Sequence, residues 1–275
     1  MTGEAPRPTA IPGDRPDAES LWAVAEALAD AAAEVTLAFF RTSALGTESK
    51  ALLFDPVTVA DRGAEAAIVE TLRTLRPGDA VLGEEHGARA GTSGLTWVID
   101  PIDGTRGFIS GTPTWGTLVA LTDETGPILG LIDQPYIGER FMGGLGRADW
   151  RGPRGAGALG VRPGRTLREA LLFTTFPEIG DAEDRAAFGR VAADARLVRY
   201  GMDCYAYALL ALGQVDLVIE AGLQPYDIAA PIAVIEAAGG VVTNWEGGPA
   251  HGGGRVVAAA SAALHAEALA RLGAG

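Results

Sequence analysis

Residues 97–105 read Trp-Val-Ile-Asp-Pro-Ile-Asp-Gly-Thr and set two carboxylates, Asp100 and Asp103, three positions apart. Two carboxylates that close repel unless a cation lies between them or one takes a proton. Hard oxygen ligands suit Mg²⁺, which usually binds one or two carboxylates, several waters and phosphate oxygens. Gly104 and Thr105 follow at a turn that can start a helix, where backbone N–H groups welcome an anion. The stretch is suited to bringing metal and phosphate together. Further acids stand at the ends of short apolar runs or at helix starts: Asp61, Glu84, Glu85, Glu220 and Asp227. Taken singly, each has a plain explanation. Asp61 falls in the first turn of a helix, where the dipole favours a carboxylate, and Asp227 is placed to cap the helix that follows it.

The elements that must position these acids can be read from periodicity. A first helix is expected over about 18–43, with Leu21, Val24, Leu28, Val35 and Phe39 as its apolar stripe. Thr58 caps a second helix, about 59–76. Ala80-Val81-Leu82-Gly83 is a short strand that delivers Glu84-Glu85, of which one alone can face a site because strand residues alternate. Residues 86–95 read as a loop. Trp97-Val98-Ile99 is a buried strand that ends at the proline of Asp100-Pro101. Two such strands side by side would set Glu84 next to Asp100. A helical turn over 105–111 leads to alternating strands at 115–121 and 128–134, and a third at Phe141-Met142, so this part reads as two helices on a largely antiparallel sheet.

Residues 146–165, rich in Gly, Arg and Pro, form the expected boundary; their glycines do not spell a P-loop. Beyond it strands and helices alternate: strand 170–175, helix 181–193, strand 197–200, helix 203–212, strand 215–219, helix 227–238, strand 240–243 and helix 260–272. The chain therefore divides into a polar, Pro-rich tail at 1–16 expected to be mobile, an α+β half at 17–145 with most of the acids, and an α/β half at 146–275 with Glu220 and Asp227.

Composition narrows the function. With 275 residues, 48% of them hydrophobic, a sizeable core is available. A net charge of −13 argues against nucleic acid, which needs a basic face, and makes bound cations the simple means of handling phosphate. Cys204 is the single cysteine, so no internal disulfide forms and a reducing cytoplasm fits. No apolar run reaches the ~18 residues of a membrane span, and the N-terminus lacks the apolar core of a signal peptide.

Jointly, Asp61 in DPVTVAD, Glu84 in GEE, Asp100 and Asp103 in DPIDGT, and Asp227 in PYDIAA…EAAGG resemble the inositol monophosphatase family, in the right order over roughly 50–260. The resemblance implies a layered αβαβα sandwich, a Mg²⁺-dependent phosphomonoesterase and a homodimer, for which an apolar β face around 115–134 is available. It also implies roles. Glu84, Asp100 and the carbonyl of Ile102 would hold one Mg²⁺, and Asp100, Asp103 and Asp227 a second. Asp61 with Glu84 would support a third ion through waters. Thr105 with Glu84 would orient and deprotonate the attacking water, and the N–H groups of Gly104 and Thr105 would bind phosphate. A pair of such metals clamps the attacking and leaving oxygens of an in-line displacement, without a phospho-enzyme. His86, His251 and His265 lie outside every motif, and DPIDGT does not fit the D-x-D-x-T nucleophile of haloacid-dehalogenase-like phosphatases.

Three longer stretches, DPIDGTRGFISGTPTWGTL, GLIDQPYIGERF and RYGMDCYAYALLALGQVDLVIEAGLQPYD, resemble the histidinol-phosphatases of the inositol monophosphatase type. Arg106-Gly107 and Tyr226 stand where inositol phosphatases usually carry Thr-Asn and Trp. By this analogy the substrate is a small phosphorylated metabolite whose alcohol part meets Glu220, with Asp203, Asp103 and Arg106 nearby; Asp203 equally fits an N-cap. Inositol 1-phosphate and 3′(2′),5′-bisphosphate nucleotides are the rival substrates. A non-catalytic module that binds metal and phosphate could dispense with Glu84 or Thr105, and both are present. A structural Ca²⁺ site lacks EF-hand spacing and leaves Gly104-Thr105 unexplained.

Overall fold

The computed structural model describes residues 17–43, 47–49 and 56–274; the 1–16 tail expected to be mobile and Asp55 of DPVTVAD lie outside them. In chain order the elements are α1 (Ala18–Phe39), β1 (Thr47–Ser49), β2 (Pro56–Thr58), α2 (Val59–Leu75), β3 (Ala80–Gly83), β4 (Gly87–Arg89), β5 (Thr96–Asp103), α3 (Thr105–Ser110), β6 (Gly116–Asp123), β7 (Gly126–Gln134) and β8 (Glu139–Gly144). There follow β9 (Arg147–Gly152), β10 (Gly155–Ala158), β11 (Leu171–Thr174), α4 (Ala182–Asp194), β12 (Leu197–Tyr200), α5 (Tyr205–Ala211), β13 (Leu217–Leu223), α6 (Pro225–Ala237), β14 (Val241–Asn244), β15 (Gly254–Ala259) and α7 (Ala262–Leu272). Among the described residues no helix is long and apolar enough to cross a membrane.

Strand alternation builds the layers. In β5, Trp97 and Ile99 pack with Leu21, Leu28, Ile68 and Leu72 of α1 and α2, while Val98 packs on the other side with residues of α5 and α6. In β13, Leu217 and Ile219 meet Val191 and Leu264 of α4 and α7, while Val218 turns inward to join α5 and α6. The order is therefore α1 and α2, an eight-stranded sheet, α5 and α6, a five-stranded sheet, then α4 and α7. That is the αβαβα sandwich. The same parity puts Asp100 with Val98 and Glu220 with Val218, so both acids face the inner helices.

The larger sheet has the order β10-β9-β8-β7-β6-β5-β3-β4 and the smaller β12-β11-β13-β15-β14. Residues 147–158, expected as a glycine-rich link, instead pair as β9 and β10 and complete the larger sheet. The local composition conceals this because β10, Gly-Ala-Gly-Ala, is an exposed edge whose pairing is through backbone alone. Three more expectations are corrected. The 86–95 loop contains β4, antiparallel to β3. β15 was not anticipated and pairs antiparallel with both β13 and β14, so the second half is not wholly parallel. α1 ends at Phe39, short of residue 43.

α6 lies between the sheets, and Ile228 through Ile235 are all buried, as a helix apolar on every side requires. Its backbone comes very close to the larger sheet. A Cβ at Gly130 would lie 2.3 Å from the Ala230 carbonyl oxygen, and one at Gly143 would lie 2.4 Å from the Val234 Cα. Both obstacles are backbone and cannot move aside. Gly130→Ala should therefore destabilise the protein by about 1–3 kcal/mol in urea unfolding. Gly189→Ala, on the exposed face of α4 with nothing within 4 Å of the new Cβ, should instead add about 0.5–1 kcal/mol.

Candidate active site

Four strand and helix ends converge at one cleft of about 400 Å³. β3 runs parallel to β5 with Gly83 opposite Ile99, so Glu84 leaves its strand beside Asp100, and its N–H donates to the Ile99 carbonyl at 3.3 Å. The β5–β6 pairing shifts register between Asp100 and Asp103. That irregularity lets both acids line the cleft. Inside it, Thr117 donates to the Pro101 carbonyl at 2.8 Å, and the Ile102 side chain is buried with Phe40, Phe108 and Trp115. Asp100, 2% exposed, accepts the Ile102 N–H at 3.0 Å. Asp103 accepts the N–H of Cys204.

Asp227 comes from α6. The helix starts two residues earlier than its sequence suggested, with Gln224 as N-cap and Pro225 in the first turn. Pro's fixed φ suits that place. Asp227 is thus the third helical residue, and it reaches back to accept the Gln224 N–H at 2.7 Å. One oxygen each of Asp100, Asp103 and Asp227 lies within 4.8 Å of the others. Burial pushes the Asp100 carboxyl well up, and the charges of Glu84, Asp103 and Asp227 push it further. Burial does the same to Asp103, helped by Asp203 and Asp227. A hard, all-oxygen donor set in mutual repulsion is what a divalent cation relieves, and the residues present fit one.

Asp61 sits in the capping box of α2, where its Oδ2 accepts the Thr58 N–H at 2.9 Å and the Thr58 hydroxyl. Its Oδ1 lies 3.4 Å from the Thr105 hydroxyl, which also donates to the Ile102 carbonyl at 3.2 Å. Burial raises the Asp61 carboxyl to about 6 against the Thr58 bonds. Gly104 has φ 85°, and a Cβ there would lie 2.8 Å from the Asp203 side chain, so this turn admits glycine alone. Gly104 caps α3, whose first N–H groups have no acceptor inside the helix.

Besides the Asp100–Asp103–Asp227 group, the cleft is lined by Arg106, Phe176, Asp203 and Glu220. Asp203 is not the N-cap of α5. Cys204 takes that place, and Asp203, at φ 46°, accepts the Thr114 hydroxyl at 3.3 Å. Burial raises it to about 6, with Thr114 and the Arg106 charge opposing. Glu220, 5% exposed, accepts the Thr175 N–H at 2.7 Å and its hydroxyl at 2.9 Å, and the Thr174 hydroxyl at 3.1 Å. β13 continues past Glu220, with a bulge before Leu223. The Arg106 guanidinium lies 4.7 Å from the centre of the Phe176 ring. Of the acids singled out in the sequence, Glu84, Asp100, Asp103, Asp203, Glu220 and Asp227 line this cleft. Asp61 touches it through Thr105, and Glu85, next after Glu84, is not part of the lining.

Sequence reasoning missed the supporting groups Thr174, Thr175, Phe176 and Thr114. A faint signal existed for two of them. Thr174-Thr175 ends the expected strand 170–175, which the structure pairs parallel to the strand carrying Glu220. A larger groove of about 600 Å³ lies between α4, Trp245 and the end of α7. Arg255 there pairs with Asp184 at 2.6 Å, and no group of carboxylates converges as in the smaller cleft.

The sandwich thus carries a group of converging carboxylates at one end. The model of the inositol monophosphatase family matches residues 17–274, and the chain belongs to that family and is a phosphatase. It is similar to the bifunctional phosphatase IMPL2, chloroplastic, of Arabidopsis thaliana, at 45% identity over 82% of this chain; the chain spans 64% of that protein. It is similar to the histidinol-phosphatase of Mycobacterium tuberculosis at 37% identity, over 92% of this chain and 97% of that one. The solved structure of an inositol monophosphatase from Zymomonas mobilis matches with a TM-score of 0.83 and 38% identity, over 94% of this chain and 99% of that one.

The Glu220 carboxyl is raised from 4.5 to about 7, chiefly by burial. Between those values the folded chain keeps a proton that the unfolded chain releases, so stability is full below pH 4.5 and declines as pH rises to about 7. Glu220→Gln keeps the shape, and its amide can donate to the Thr174 hydroxyl. In chelator, it should leave unfolding free energy unchanged near pH 4 and raise it by about 3 kcal/mol near pH 8.

Proposed function

We propose that this phosphatase hydrolyses L-histidinol phosphate to L-histidinol and phosphate, with Mg²⁺ held by Glu84, Asp100, the Ile102 carbonyl, Asp103 and Asp227. The observation that carries the substrate is a further pair of acids in the cleft wall. Asp203 and Glu220 join the lining beyond the Asp100–Asp103–Asp227 group, and the leaving alcohol is assigned to them. Histidinol brings an ammonium and an imidazole to that wall, whereas a neutral polyol brings hydroxyls alone. The likeness to the Mycobacterium tuberculosis histidinol-phosphatase along nearly the whole of both chains supports the same choice.

A divalent cation bound there lowers the pKa of a coordinated water and offsets charge on the phosphoryl oxygens. The chain's own groups do the rest. A threonine hydroxyl has one proton and two lone pairs. Thr105 turns its proton toward Asp61 and the Ile102 carbonyl, so a lone pair faces an incoming water and fixes its orientation. Asp61 then takes the proton that this water loses, by way of the Thr105 oxygen. The first N–H groups of α3, at Gly104 and Thr105, meet the phosphate oxygens. Arg106 is held over Phe176 and so keeps its charge at the cleft mouth.

Released phosphate should favour histidinol phosphate over inositol 1-phosphate and a 3′,5′-bisphosphate nucleotide by at least about tenfold in kcat/KM, or 1.4 kcal/mol. Equal turnover of the inositol ester would favour the reading suggested by the Zymomonas mobilis likeness. Asp100→Asn should abolish turnover yet unfold at a higher temperature than the parent in chelator, because it removes one charge from a repelling group. Full turnover in excess chelator would end the metal reading.

A further inference from the structure

Glu65 belongs to none of the motifs above, yet it is fully buried. Its carboxylate is spent on one short piece of chain. Oε2 accepts the Glu85 N–H at 2.7 Å, and Oε1 accepts the His86 N–H at 2.9 Å and lies 3.1 Å from the His86 ring Nδ1. These are the two residues directly after Glu84, in the tight turn from β3 into β4. The fit is close on the other side as well. A Cβ at Gly83, directly before Glu84, would lie 2.2 Å from Glu65 Oε1. Glu84 is thus bracketed by a residue that must be glycine for Glu65 to enter and by two amides that Glu65 binds.

We propose that Glu65 is a positioning residue for Glu84, which it holds beside Asp100. The proposal rests on the reading that Glu84 and Asp100 share a divalent cation. A three-residue turn between short strands has few ladder bonds to fix it, and the Glu84 carboxylate is repelled by Asp100. Without an anchor the turn relaxes outward until that repulsion is lost, and the cation loses a ligand. Two consecutive N–H groups bound by one buried carboxylate resist the movement. Glu65 also lies one helical turn after Asp61 on α2, on the same face. The one helix therefore braces both the Glu84 turn and, through Asp61, Thr105.

Glutamine has the volume of glutamate but a single acceptor oxygen. Glu65→Gln must lose one of the two backbone bonds and set an NH₂ group against an N–H. Binding of Mn²⁺ should be measured by calorimetry, and amide exchange at residues 85 and 86 by NMR. In Glu65→Gln we expect exchange at those two amides to quicken and Mn²⁺ affinity to fall by about tenfold, as for other groups that orient metal ligands. Half-maximal activity should need correspondingly more Mg²⁺, with KM for substrate unmoved at saturating metal. Glu65→Asp, which keeps both oxygens, should recover part of the affinity. Unchanged Mn²⁺ affinity in a folded Glu65→Gln, or unchanged exchange at 85 and 86, would overturn the proposal. Absence of Mn²⁺ binding by the parent protein would instead overturn the metal reading, and the exchange result would still decide for Glu65. Should Glu65→Gln not fold, Gly83→Ala displaces the same carboxylate and must show the same loss of Mn²⁺ affinity. Loss of fold in both variants would overturn the proposal and make Glu65 a packing residue.

Discussion

Carboxylates crowded at the end of the inner layer repel one another, and the rest of the molecule is arranged to hold them in place. Two unit charges 4 Å apart near a protein surface repel by about 4 kcal/mol. Burial adds to that by weakening hydration, which is why Asp100 and Asp103 resist ionisation. The restraint on each acid has a common form. Ile102 donates its N–H to Asp100, Cys204 to Asp103, Gln224 to Asp227, Thr58 to Asp61 and Thr175 to Glu220. A peptide N–H is fixed by the backbone and carries no net charge. It orients a carboxylate without neutralising it, and so leaves the cluster's charge to be met by a cation. A guanidinium in the same places would orient equally well and would compete with the metal.

Those donors are useful only if the elements carrying them do not shift. Asp100 and Asp103 ride on the larger sheet, Asp227 on α6 and Glu220 on the smaller sheet. The contact that fixes their relation is the approach of α6 to β7 and β8 through Gly130 and Gly143. Side chains at those two positions would hold α6 away from the larger sheet and carry Asp227 away from Asp100. The apolar inner layer and the polar cleft at its end are thus one arrangement. Close backbone packing in the first sets oxygen-to-oxygen separation in the second.

Much of this was legible in the chain, and the gaps have physical causes. Hydrophobic runs ending in acids, at 80–84, 97–100 and 217–220, located three strands that deliver the acids, but only β3 ends where its run does. β5 continues through Pro101 to Asp103 and β13 past Glu220 to Leu223, because sheet pairing outlasts the apolar run. Thr58 and Asp61 showed the start of α2, since a capping box is a local device. The family pattern supplied the link between distant acids that periodicity alone cannot. What stayed hidden was set by tertiary pairing. β10 has no apolar side chain beyond alanine and exists because β9 offers an edge. β15 follows a glycine-rich turn that gives no register. The start of α6 was misplaced because Pro225 reads as a breaker when its partner Gln224 is not recognised as a cap. No motif in the sequence singles out Glu65, and only the fold shows it to be buried against a turn twenty positions away.

The charge of the cleft bears on how a phosphate ester enters it. Glu84, Asp100, Asp103, Asp203, Glu220 and Asp227 line it against the single cation Arg106, on a chain already at −13. Such a wall repels a phosphate dianion, and the first N–H groups of a six-residue helix do not outweigh it. Phosphate is drawn in only once the deep carboxylates have been compensated. Asp203 and Glu220 line the same cleft without belonging to the Asp100–Asp103–Asp227 group. Burial disfavours their ionised forms, raising Glu220 to about 7 and Asp203 to about 6, and a neutral leaving group does nothing to offset that. A leaving group that carries its own positive charge turns the same two residues into partners. On the proposed reading, these two acids would favour a substrate whose departing part is positively charged.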